Sequence, residues 1–111
     1  MKRDYKLYLN DIRDAIKQIE IYMKNISEEQ FSKNKLLQDA VLRRLEIIGE
    51  ASRNIPRALK EKNKDVPWFD MGQFRDLIAH GYFEVSLNTI WNAATKNIKV
   101  IKESMKNIVL V

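Results

Sequence analysis

Arg75, Asp76, His80 and Tyr82 stand within eight consecutive residues, Arg75-Asp76-Leu77-Ile78-Ala79-His80-Gly81-Tyr82, and His80 is the one histidine in a chain of 111 residues. Arginine stays protonated in proteins, and its planar fork grips phosphate. Histidine is the side chain whose unperturbed pKa lies near neutrality. Together they can move a proton while a phosphate is held in place. On a continuous helix Asp76 and His80, four residues apart, share a face, so the carboxylate can orient the imidazole, favour its charged form and fix its tautomer. Arg75 falls about 140° around the axis from His80, five residues at ~100° each. One copy of the motif therefore does not close into a compact site, whereas two copies facing each other across a dimer axis would. A plainer reading competes: a histidine near a helix end commonly serves the last carbonyls, and an aspartate one turn earlier is an ordinary partner for it.

Glu46 and Glu50 lie four residues apart with Arg43, Arg53 and Arg57 near them in sequence. Intrahelical ion pairs on a solvated face account for this pattern and are the favoured reading. The functional alternative is that Glu46 or Glu50 meets Arg75 from a neighbouring helix, with Gly49 between them permitting a close approach. Trp68 and Trp91 can stack on a base, but at apolar positions tryptophan more often anchors a core or an interface. Arg43, Arg44 and Arg53 can track a nucleic-acid backbone, and a solvated face explains them as well.

The elements that must position these residues are helical. Tyr5, Tyr8, Leu9, Ile12, Ala15, Ile16, Ile19, Tyr22, Met23 and Ile26 recur at steps of three and four, which predicts a helix over 4–25. Ser27 followed three residues later by Gln30 is a capping-box pattern for a short helical turn ending near Lys33. Leu36, Leu37, Ala40, Val41, Leu45, Ile48, Ser52 and Ile55 predict a second long helix over 35–55. Gly49 inside it costs ~1 kcal/mol against alanine, so a close neighbour must compensate. Pro56 interrupts the pattern, and a short third helix follows over 57–62. Pro67 suits the first turn of the motif helix, 67–80, with Gly81 as its C-terminal cap. Ser86 caps the last helix, where Leu87, Trp91, Ala94, Ile98, Ile101, Met105 and Ile108 form a heptad-like seam. The sum is an all-α antiparallel bundle of about four to five helices in a single domain over 1–111. The apolar seams of the first and last helices are candidates for partial burial against a second subunit.

Composition narrows the chemistry. Three glycines and two prolines are too few for an all-β fold. With no cysteine there are no disulfides or thiolate zinc sites, and one histidine excludes a histidine-rich metal site within one chain. No metal or cofactor is expected. No apolar run approaches the ~18 residues of a membrane span, and the basic N-terminus leads into no signal core, so a cytoplasmic chain with no membrane partner is expected. Twenty Lys and Arg against fifteen Asp and Glu give a net charge of +5, compatible with RNA or another polyanion.

The string Arg75 to Tyr82 resembles the Arg-x-x-x-x-His-x-Tyr motif of the HEPN superfamily, and specifically its HepT-like toxins. The resemblance extends to Asp39-Ala40-Val41-Leu42-Arg43-Arg44-Leu45-Glu46-Ile47-Ile48-Gly49-Glu50-Ala51, which looks like that family's second-helix segment. Val66-Pro67-Trp68 and His80-Gly81-Tyr82-Phe83 resemble the residues that open and close its motif helix. The resemblance implies a HEPN-like helical homodimer acting as a metal-independent endoribonuclease, the toxin of a type VII HepT/MntA toxin–antitoxin pair. It implies Arg75 and His80 as catalytic residues, Asp76 as an orienting residue, and Tyr82 as the acceptor of AMP from an MntA-like nucleotidyltransferase antitoxin. RNA would be cut by attack of the 2′-hydroxyl on the adjacent phosphate. Two rivals remain: a non-catalytic helical substrate-binding or adaptor subunit of a minimal nucleotidyltransferase, and a helical dimer whose basic surface binds nucleic acid.

Overall fold

A computed structural model describes residues 3–79 and 86–110. His80, Gly81, Tyr82 and Phe83, including the expected cap at Gly81, lie outside the described residues. The described part is all-helical: α1 (Tyr5–Met23), α2 (Glu28–Lys33), α3 (Lys35–Arg53), α4 (Arg57–Lys62), α5 (Trp68–Ala79), α6 (Leu87–Asn92), a π-helical turn (Ala93–Asn97), α7 (Ile98–Ser104) and a closing 3₁₀ turn (Met105–Asn107). No strand occurs among the described residues. No helix there is long and apolar enough to cross a membrane.

The helix ends follow local chemistry. Asp4 caps α1, its carboxylate accepting from the Lys6 amide at 2.9 Å. After α1 the chain turns through Asn25 at φ 58°, a left-handed conformation that asparagine tolerates. Ser27 and Gln30 form the expected reciprocal capping box at 3.1 and 2.9 Å. Asn34 ends α2 and caps α3, accepting from the Leu37 amide at 3.0 Å. Buried Gln38 donates to the Phe31 carbonyl at 2.8 Å and ties the short α2 to α3. Ser86 caps α6 through the Thr89 amide, as the sequence predicts.

The core runs through the helix seams. Leu9, Ile12, Ala15, Ile16 and Ile19 of α1, Val41, Leu45 and Ile48 of α3, Met71 and Phe74 of α5, and Ile98 and Ile101 of α7 are all buried. Helix α3 is central: α1 and α5 both pack along it, and α7 lies against α1. These residues are covered within one chain, while Tyr8, Tyr22 and Met23 of the α1 seam and Trp91 and Ile108 of the last helix are only half-buried. Trp91 packs on Phe31 with ring centroids 5.7 Å apart. Trp68, half-buried, donates from Nε1 to the Asn63 carbonyl at 3.0 Å. Both tryptophans therefore serve packing.

The last helix departs from the expected seam at its start. Leu87 is 39% exposed, whereas Ile90, outside the predicted seam, is buried. The π turn between α6 and α7 accounts for the difference, because its wider winding changes the phase between the two halves. Leu36 departs too, at 81% exposed in the first turn of α3.

Candidate active site

The site is built where α3 crosses α5, and two glycines set the distance between them. A Cβ on Gly49 would lie 2.5 Å from the Arg75 amide nitrogen and 3.1 Å from its Cα. The backbone of the motif helix therefore rests directly on Gly49, which is why α3 carries a glycine in its interior. On the opposite helix, a Cβ on Gly72 would lie 3.2 Å from Arg53 Nε. The arginine side chain of α3 crosses α5 there. Between the two, fully buried Ser52 donates to the Gly49 carbonyl at 2.9 Å.

This packing fixes how Arg75 is presented. Its backbone is pinned on Gly49 while its side chain remains 51% exposed. Arg75 Nε lies 3.8 Å from Glu50 Oε1, an ion-pair distance too long for a hydrogen bond. Of the two expected glutamates, Glu50 thus meets Arg75, while Glu46 pairs within its own helix with Arg43. The guanidinium stands beside a shallow cleft of about 380 Å³ lined by Glu50, Arg53, Asn54 and Arg75. Asn54 closes the end of α3 by donating to the Glu50 carbonyl at 2.8 Å.

Asp76 is gripped from across the helix pair. Arg53 Nη2 donates to both carboxylate oxygens, each at 3.1 Å. Arg53, weighed in the sequence only as a solvated or backbone-tracking cation, is thus a partner of the motif. The one sequence trace of that crossing is Gly72, a second glycine inside a helix, which marks a close approach without naming the side chain that makes it. An ionised carboxylate accepts about four hydrogen bonds, so this grip leaves Asp76 capacity for a further donor. Nearby, burial and then the charge of Arg53 push the Lys60 ammonium below the ordinary lysine range. Arg44 lines a separate cleft between α1 and α3. Among the described residues no three histidine, cysteine or carboxylate groups converge to hold a metal ion. His80 and Tyr82, the remaining motif residues, lie outside the described residues.

Arg75 at the cleft, and Asp76 bonded to Arg53 of its lining, are thus brought together by a glycine-spaced helix pair that spans the two segments carrying the resemblance. A family model described as ribonuclease HepT-like matches residues 12–108. The chain belongs to that family. This HepT-like chain is 41% identical over 108 residues to a protein of Thermococcus cleftensis named "Probable ribonuclease HepT", covering 97% of this chain and 98% of that one. It is 43% identical over 108 residues to a Methanocaldococcus jannaschii protein named "Gamma-glutamylcyclotransferase and putative RNase". That alignment covers 97% of the HepT-like chain but 49% of the relative, so the chain spans about half of that protein's length. No solved structure gives a significant match to it.

Proposed function

We propose that the chain is a metal-independent endoribonuclease, the toxin of a HepT/MntA-type pair. The observation that carries this reading is Arg75: a guanidinium half-exposed at a cleft, its backbone fixed on Gly49, its charge only loosely met by Glu50. Such a group is preorganised to receive charge that develops on a phosphoryl oxygen. The ribonuclease family of the chain supports RNA as the phosphodiester.

In this mechanism the 2′-hydroxyl oxygen attacks the adjacent phosphorus and the bond to the 5′-oxygen breaks. His80 takes the proton from the 2′-hydroxyl or gives one to the departing 5′-oxygen, and a second His80 across a dimer axis takes the other role. The products are a 2′,3′-cyclic phosphate and a 5′-hydroxyl. Arg75 stabilises the non-bridging oxygens. Asp76, held by Arg53, orients His80, four residues further on in the sequence. AMP joined to Tyr82 by a partner nucleotidyltransferase adds bulk and negative charge where the RNA backbone must lie, silencing the enzyme.

The test is RNA cleavage by purified protein with and without EDTA. Arg75→Ala and His80→Ala are each expected to remove ~10²–10⁴ of the rate, with circular dichroism unchanged and 5′-hydroxyl ends in the wild-type products. Activity that survives both substitutions, or that EDTA abolishes, overturns the mechanism. A wild-type chain that binds a nucleotidyltransferase and cuts no RNA would instead be the adaptor subunit. Sedimentation at micromolar concentration checks the dimer, a monomer being the adverse result. For the regulation, mass spectrometry after coexpression should place AMP on Tyr82, and Tyr82→Phe should escape silencing. An adduct elsewhere refutes that assignment.

A further inference from the structure

The active-site cleft is close to charge-neutral among its described residues: Arg53 and Arg75 face Asp76 and Glu50. It therefore offers little net attraction to a long polyanion. The surplus charge of the chain lies elsewhere. Lys6, Arg13, Lys17 and Lys24 follow one another at steps of seven, four and seven along α1 and its C-terminal cap. At ~100° per residue these positions fall within about 20° of a single line, spread over about 27 Å at ~1.5 Å per residue. All four are exposed. No ion pair among the described residues includes any of them; other cations, Lys62 and Lys64 among them, are likewise outside the ion pairs, and what distinguishes these four is their alignment along one helix face. Like charges one turn apart, as at Arg13 and Lys17, oppose helix formation, so local stability does not account for the stripe.

Beside this stripe α1 and α7 enclose a groove of about 350 Å³. Arg13 and Lys17 form one rim, Lys102 and Lys106 the other, and Ile16 and Met105 contribute an apolar floor. Glu20 meets Lys102 at 2.9 Å and Glu103 meets Lys106 at 2.8 Å. The face thus carries six cations against two carboxylates, four of the chain's five net positive charges. Asp11 and Asp14 line the other flank of α1, in the cleft with α3.

We propose that the α1 stripe, with the groove it shares with α7, is a binding face for the phosphate backbone of single-stranded RNA, separate from the Arg75 cleft. The proposal rests on the ribonuclease reading for the identity of the polyanion. A line of unpaired cations matches a flexible strand that can lay successive phosphates along it. The groove has no aromatic lining on which bases would stack, so recognition there is of backbone rather than sequence. This face holds RNA by charge, and the Arg75 cleft performs the chemistry.

The test is fluorescence anisotropy with a labelled single-stranded RNA of about 20 nucleotides, in an Arg75→Ala background that suppresses cleavage, across a salt series. The stripe variant replaces Lys6, Arg13, Lys17 and Lys24 by glutamine. A control variant makes the same change in net charge on other faces: Lys33→Gln, Arg57→Gln, Lys62→Gln and Lys64→Gln. Each phosphate contact contributes ~0.7 to the salt slope for a single strand, so the stripe variant should lower that slope by about 2.8 and the affinity at least tenfold at about 0.1 M salt. The control should stay within about threefold of the background. Equal losses in both variants, or none in the stripe variant, overturn the proposal. So does a stripe variant that loses adsorption to phosphatidylserine vesicles while keeping its RNA affinity, since the face would then serve a lipid surface. Failure of the cleavage mechanism is read separately, from product formation by the wild-type chain. RNA affinity that depends on the stripe would stand even where no cleavage occurs.

Discussion

Replacing Gly49 by alanine tests the geometry on which the site depends. The added methyl would sit 2.5 Å from the Arg75 amide nitrogen, 3.0 Å from its Cβ and 3.1 Å from its Cα. All three neighbours belong to the main chain or the root of the side chain, so none can rotate away, and α5 must move as a body. Overpacking of this kind costs ~1–3 kcal/mol, and a backbone obstacle belongs at the upper end. Alanine returns ~1 kcal/mol through helix propensity. The expected net loss is therefore about 2 kcal/mol, or roughly 8 °C in Tm for a domain of this size. Gly72→Ala supplies the internal comparison. Its methyl would meet Arg53 Nε at 3.2 Å and Cγ at 3.5 Å, both in a long side chain that can swing aside. The same gain in propensity then goes largely unopposed, and stability should hold or rise by up to ~1 kcal/mol. Urea melts at one fixed protein concentration read both variants, with unchanged m-values showing that the midpoint shift reflects stability. A Gly49→Ala protein as stable as wild type, or less destabilised than Gly72→Ala, would refute the claim that the motif helix rests on that glycine.

Arg53→Ala should cost little stability, below ~1 kcal/mol, because both partners of its ion pair are partly exposed. It should nonetheless reduce kcat for RNA cleavage about 10- to 100-fold with KM little changed, through loss of the grip on Asp76. Arg53→Lys should recover only part of that loss, since an ammonium lacks the planar fork, and an unchanged kcat in Arg53→Ala would remove its positioning role. Asn63→Ala should destabilise by ~1–3 kcal/mol and expose the C-terminal residues to proteolysis, because its side chain bonds the Leu59 carbonyl at 2.8 Å and both the carbonyl and the amide of Val109 at 2.8 and 2.7 Å; protection equal to wild type would contradict this. Lys60 has its pKa lowered in the fold, so the unfolded chain holds its proton to higher pH than the folded one. Stability should therefore rise with pH from the lowered value up to the ordinary lysine value of ~10.4. Lys60→Met should flatten that rise, and an unchanged pH slope would count against the lowered pKa.

Much of the fold is legible in the sequence because its signals are local. Ser27 with Gln30, and Ser86 ahead of Thr89, satisfy amides within three residues of themselves, so their caps are visible without tertiary knowledge. Gly49 was legible as an anomaly: a glycine inside a strong helical pattern requires a neighbour, and the neighbour is Arg75. That Glu50 rather than Glu46 would face Arg75 was not legible. The choice depends on the rotation of α3 against α5, which the periodicity of either helix alone leaves open. The Arg53–Asp76 pair was hidden for the same reason, its members being 23 residues apart on different helices. Leu87 departs from the heptad seam, and Ile90 is buried in its stead, because a heptad template assumes one uniform winding and the chain widens its winding over Ala93–Asn97.

That change of winding gives the last helix a property of its own. The π turn at Ala93–Asn97 separates α6, which leads back toward the motif, from α7, whose Ile98 and Ile101 are held in the core. Deleting one residue there would allow uniform α-helix with Ile90 seven residues, about two turns, before Ile98, and both would still face the core. Winding all the present residues as α-helix would instead turn Ile90 by ~80° from Ile98. The turn therefore acts as a phase coupler between two independently indexed halves. It takes up one residue of surplus length, so that Ile90 and Ile98, eight residues apart, both reach the core.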